Sequence, residues 1–182
     1  SPGNIDTIEN LAGMKVDQVA VGSCTNSSYR DLMTVAKIVD GKTAHPDVSF
    51  VVAPGSRQVL QNIGMEGGLT SLINAGARIA ESACGFCIGN SQAPKTDAIT
   101  LRTSNRNFLG RSGTKSAQAY LVSPETAAAA VLTGEFTPPQ NLEEMGIPYP
   151  GVTMPEKFHI DDSMFIFPKE ADSSVKIYRG PN

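Results

Sequence analysis

At 182 residues, 40% of them apolar, the chain is the size of one ordinary domain built on a single hydrophobic core. No apolar run approaches the about 20 residues that a membrane helix needs, and a net charge of -3 without any Lys/Arg stripe points to neither nucleic acid nor a membrane as a partner. The three cysteines are a poor start for a disulfide framework and there is no basic-then-apolar leader, so a soluble protein in a reducing, cytoplasmic setting is expected.

In chain order, Asp17 to Val21 reads as a short Val/Ala strand that runs into the loop Gly22-Ser23-Cys24-Thr25-Asn26-Ser27-Ser28. Asn26, Ser27 or Ser28 can cap the helix that follows, in which Leu32, Val35, Ala36 and Val39 recur at helical spacing until Gly41. A second strand, Val48 to Val52, stops at Pro54-Gly55. Helical stretches follow at Arg57 to Asn62 and Leu69 to Ala75, the latter ended by Gly76. Arg78 to Ser82 reads as a third strand that delivers the chain to Cys84. Ala119 to Val122 reads as another strand, and Pro124 to Leu132 as a helix with proline in its first turn, ended by Gly134.

Strands alternating with helices predict an α/β fold, a three-layer sandwich with a mostly parallel sheet over residues 1–137. Ligands of such sheets bind beyond the carboxyl ends of the strands. Both cysteine segments follow a strand, so Cys24 and the pair Cys84 and Cys87 are expected on one edge. Residues 138–182 are Pro-rich and read as a tail or linker. The abrupt ends, Ser1-Pro2-Gly3 and Gly180-Pro181-Asn182, suggest a piece of a longer polypeptide.

A CxxC turn can aim two sulfurs at neighbouring corners of one metal centre, and a thiolate from a separate loop can close a face around it. Three thiolates suit an iron-sulfur cluster that leaves one iron open as a Lewis acid. Plainer alternatives stay open on spacing alone: buried cysteines that behave as small hydrophobes, a redox dithiol that leaves Cys24 unexplained, or zinc lacking a fourth ligand. For zinc, His45 and His159 show no ligand spacing. The loop of residues 21–28 could also cradle a phosphate, but it has neither GxGxxG nor a P-loop lysine. In Ser104-Asn105-Arg106-Asn107-Phe108-Leu109-Gly110-Arg111, two arginines could grip carboxylates through bidentate bonds, or simply decorate a solvated turn.

Taken together, Gly22-Ser23-Cys24-Thr25-Asn26-Ser27, Cys84-Gly85-Phe86-Cys87-Ile88-Gly89 and Ser104-Asn105-Arg106-Asn107-Phe108 with Gly110-Arg111 resemble the signature blocks of the aconitase and isopropylmalate dehydratase superfamily. The similarity continues through Ala53-Pro54-Gly55-Ser56 and Leu121-Val122-Ser123-Pro124-Glu125.

The resemblance implies a 4Fe-4S cluster held by Cys24, Cys84 and Cys87, with Asn105 supporting it by hydrogen bonding and Arg106 and Arg111 binding a tricarboxylate substrate. It further implies that the catalytic base lies on other domains of a parent enzyme, so that this piece alone is inactive. Glycine after the first cysteine of the pair, and the long tail, resemble aconitases that interconvert citrate and isocitrate. The alternatives are a dehydratase of isopropylmalate or homocitrate in the same superfamily and, from a different class, a cluster-dependent RNA-binding module.

Overall fold

The computed structural model describes residues 3–181. Its elements in chain order are α1 (Ile8–Leu11), β1 (Gln18–Gly22), α2 (Tyr29–Val39), β2 (Ser49–Ala53), α3 (Arg57–Met65) and α4 (Gly68–Asn74). There follow β3 (Arg78–Ile79), a 3-10 turn at Phe86–Ile88, β4 (Ile99–Arg102), β5 (Gln118–Leu121), α5 (Pro124–Thr133) and α6 (Asn141–Glu144). The five strands form one sheet in the order β3-β2-β1-β4-β5, parallel at every pairing, which is the expected α/β fold.

Central β1 is buried along its whole length, as a strand covered on both faces must be. Alternation then sorts its side chains by face. Val19 and Val21, with Phe50 and Val52 of β2, join the main core with Leu32, Val35 and Ile38 of α2 and the alanine run of α5. Ala20, Val51 and Ala53 point the other way and form a smaller apolar group with Phe86. The segment between β3 and β4 therefore covers the second sheet face, and it carries two of the cysteines. From the Pro-rich segment, Leu142 and Ile147 join the main core. Further on, Asn62 clasps the main chain of His159 on both sides, donating to its carbonyl (2.9 Å) and accepting from its N–H (2.9 Å).

The chain builds outward from β1 to β3 on one side and then returns to add β4 and β5 on the other. The strand order therefore reverses between β1 and β4. A doubly wound sheet opens its ligand crevice at such a switch point, beyond the carboxyl ends of the two strands.

Candidate functional site

Cys24 sits on the loop that leaves β1 at this switch point, and the loop is bent by three positive φ angles: Gly22 (94°), Ser23 (87°) and Asn26 (49°). Left-handed backbone at a non-glycine such as buried Ser23 persists only where its surroundings hold it. The surroundings do so from three sides. Ser23 N–H donates to Ala53 O (2.9 Å), and its hydroxyl reaches Ala83 O (3.4 Å), one residue before Cys84. Gly22 N–H donates to the Thr103 hydroxyl (2.7 Å), and the Asn26 side chain donates to Thr103 O (2.7 Å). Gly22 has no room for a side chain, because a Cβ would run into the Ala53 carbonyl. Ser28 closes the loop as the N-cap of α2, in a reciprocal capping box with Asp31.

Cys84 and Cys87 flank a tight turn in which Ile88 N–H bonds Gly85 O (3.2 Å) and Gly89 N–H bonds Phe86 O (3.0 Å). Cys24 and Cys84 are exposed, Cys87 is buried, and all three are free thiols. The Cys24 thiol is held below its ordinary pKa. The main cause is the Thr25 hydroxyl 3.6 Å from its sulfur, burial opposes it, and the Cys84 thiol within hydrogen-bonding reach adds to it. Two separate loops thus meet, joined by the bond from the Ser23 hydroxyl to Ala83 O.

The arginine loop reaches the same place from β4. Arg111 donates from Nε to Cys87 O (3.2 Å), its Nη2 lies 3.8 Å from Cys87 Sγ, and its guanidinium stacks 5.2 Å from the Phe108 ring centre. Arg106 and Asn105 are exposed on this loop, joined by a 3.1 Å bond from the guanidinium to Asn105 O. Ser104 is buried, and its hydroxyl has no partner among the described residues.

The histidines lie elsewhere in the contact pattern. The His45 ring packs beneath Gly134, and His159 is clasped by Asn62. Among the described residues, no three His, Cys, Asp or Glu side chains could share one metal ion. Ligands of a polynuclear cluster each take a different iron and so need not converge on one point. A cavity of about 450 Å³ is lined by Ile8, Leu11, Tyr120 and Phe136 and includes no cysteine.

Sequence reasoning missed β4 altogether, and with it Arg102. This arginine is fully buried and donates to Phe86 O (2.6 Å), to the Ser112 hydroxyl (2.9 Å), to Gln18 Oε1 (3.2 Å) and to the Thr100 hydroxyl (3.3 Å). The one signal was the Thr-Leu-Arg-Thr run before Ser104, in which Leu101 alone is apolar.

The model of the aconitase family (aconitate hydratase) matches residues 4–134. Among curated proteins, the chain is 40% identical over 141 residues to 3-isopropylmalate dehydratase large subunit 1 of Methanopyrus kandleri, covering 77% of this chain and 34% of that protein. It is 39% identical over 142 residues to the homoaconitase large subunit of Thermus thermophilus, covering 78% and 34%. With the 3-isopropylmalate dehydratase large subunit of Wolinella succinogenes it shares 40% identity over 130 residues, covering 71% and 31%. The chain spans about a third of the length of these relatives.

Proposed function

The chain belongs to the aconitase family, and from that premise we propose that it is the cluster-bearing part of a hydro-lyase that removes water from, and returns it to, a hydroxy-carboxylic acid. The observation that carries this reading is the meeting at one sheet edge of the Cys24 loop, the Cys84 and Cys87 turn and the Arg111 loop.

The donor set fits a 4Fe-4S cluster. Three free thiols stand on two loops that the Ser23 hydroxyl ties together at Ala83 O, and the guanidinium of Arg111 lies beside Cys87. Cys24, Cys84 and Cys87 would hold it, leaving one iron without a protein ligand. When bound, such a cluster supplies a Lewis acid that polarises the substrate hydroxyl.

The chain's own residues do the rest of the binding. Arg106, exposed and bonded through its guanidinium to the neighbouring Asn105 O, would take a substrate carboxylate as a bidentate pair. Arg111 does the same from beside Cys87, and its stacking on Phe108 fixes the plane of its guanidinium. Asn105 lies between β4 and these arginines and supports the cluster by hydrogen bonding. No residue here takes the role of the base. That role falls to other parts of a longer enzyme, toward which residues 138–182 lead, as the one-third coverage of the relatives supports.

As to substrate, the relatives' names favour an isopropylmalate or homoaconitase-type acid over citrate. Citrate is the second reading, favoured by Gly85 after the first cysteine.

The test is anaerobic reconstitution with iron and sulfide, followed by absorbance and paramagnetic resonance, on the parent chain and on Cys24→Ser. About four irons per parent chain and a failed assembly in the variant are expected. Normal assembly in Cys24→Ser would remove Cys24 from the ligand set.

A further inference from the structure

Arg102 stands in an environment that a guanidinium rarely tolerates. It is fully buried within the sheet, paired in register with Ala20 of β1 and Leu121 of β5. Arginine keeps its proton at any physiological pH, so burial here means burying a charge. Buried charges are ordinarily matched by an opposite charge. Arg102 makes no ion pair with a carboxylate among the described residues; its four acceptors are a carbonyl, two hydroxyls and a side-chain amide oxygen, all neutral. Burial pulls its pKa down to about 10, opposed only by the nearby Cys87.

The guanidinium also reaches one side of the cysteine turn, bonding Phe86 O and lying 5.9 Å from the Phe86 ring centre. Ser112 sits between the two, accepting from Arg102 and donating to the same Phe86 O (3.3 Å). The loop that delivers Arg111 to Cys87 is therefore tied to the same cation. No carboxylate among the described residues matches the charge that this strand carries inside the sheet. A site that acquires negative charge when it is filled supplies the match.

We propose that Arg102 is a positioning residue that serves as the built-in counter-charge of the site: it pins the Cys84 and Cys87 turn through the Phe86 carbonyl and holds an uncompensated positive charge behind Cys87, matched only when three thiolates and their cluster are in place. The inference rests on the cluster reading above. A fixed positive charge favours each electron added to the cluster, so it raises the reduction potential.

Gln18 allows a test that leaves Arg102 untouched. Its Oε1 accepts from both Arg102 and the Thr100 hydroxyl (2.9 Å) while its Nε2 donates to Ala93 O (3.2 Å), so Gln18→Glu supplies the missing carboxylate in place and gives up only that one neutral bond. The measurements are the urea stability of the empty full chain and the midpoint potential of the reconstituted cluster, followed by paramagnetic resonance, in the parent, Gln18→Glu, Arg102→Met and Arg102→Lys. Gln18→Glu is expected to stabilise the empty chain. Both Gln18→Glu and Arg102→Met are expected to lower the one-electron equilibrium constant about tenfold, or about 59 mV. Arg102→Lys, which keeps the charge and loses the fork, stays near the parent potential.

A cluster that assembles in Gln18→Glu at the parent's potential, or an empty Gln18→Glu chain no more stable than the parent, overturns the counter-charge. If Arg102→Met does not fold, Gln18→Glu alone decides. Failure of the parent itself to take up a cluster is a different result: it overturns the proposed function, and the counter-charge with it.

Discussion

The side-chain amide of Asn26 donates to the main-chain carbonyl of Thr103 at 2.7 Å, which ties the loop bearing Cys24 to the first residue beyond β4. Because β1 and β4 flank the switch point, this bond and the one from Gly22 N–H to the Thr103 hydroxyl together set the spacing of the two loops across the crevice. Asn26 is also one of the few side chains that accepts a left-handed φ readily. Asn26→Ala should therefore lose both a hydrogen bond and a conformational preference, at a cost of about 1 to 3 kcal/mol. Asn26→Gly should recover the conformational part only. Urea unfolding of the three proteins measures the stability, and iron content after reconstitution shows whether the loops still meet. Equal stability and iron content in all three would refute the tie.

Gly22→Ala combines a positive φ with a clash against a backbone carbonyl, and neither can be relieved by a rotamer change. The expected cost is about 2 to 5 kcal/mol. It should appear as a lower urea midpoint at an unchanged slope.

Arg106 and Arg111 should separate by spectrum. Arg111 touches Cys87 whereas Arg106, among the described residues, bonds only its own neighbour, so Arg111→Gln should alter the cluster's paramagnetic resonance and Arg106→Gln should leave it as in the parent. In the complete enzyme, each lysine substitution should cost about tenfold to a hundredfold in kcat/KM, since lysine keeps the charge and loses the bidentate pair. Identical spectra in both glutamine variants would mean that Arg111 does not sense the cluster.

Asp17 predicts a pH effect. Its carboxylate is held below the usual carboxylate range, first by its bond to Lys95 (2.6 Å) and next by the Ile99 N–H (2.9 Å) that starts β4. A carboxylate with a folded pKa below its unfolded one stabilises fully above the unfolded value, about 4, and that contribution is lost as pH falls through the folded value. The stability difference between the parent and Asp17→Asn should therefore be present at pH 7 and fade below about pH 4. A difference that persists unchanged at pH 2 would exclude the carboxylate as its source.

Much of the fold was legible because burial and periodicity agree. β1, β2 and α2 carry apolar residues on their core faces, and the serine run before α2 announces a cap. It could not say which serine caps; Asp31 at the third helical position selects Ser28, because only that spacing closes the reciprocal pair. β3 was read too long, since Ser82 lies beyond the strand's two residues. β4 stayed hidden because its polar side chains are buried for reasons that exist only in three dimensions: Thr100 answers Gln18, and Arg102 answers Phe86 O and Ser112. For the candidate site, motif order proposed Cys24, Cys84, Cys87, Asn105, Arg106 and Arg111. The bonds that join their loops run through main-chain atoms of Ala53, Ala83 and Thr103, which leave no mark in a motif.

Phe86 gives the sulfur-bearing turn a second consequence. Its ring closes the sheet face formed by Ala20, Val51 and Ala53, so the turn cannot swing away without wetting that face. Damage to the site would then be visible from outside as a greasy patch, and a spoiled copy would be marked for clumping or digestion by the same residue that keeps an intact one sealed.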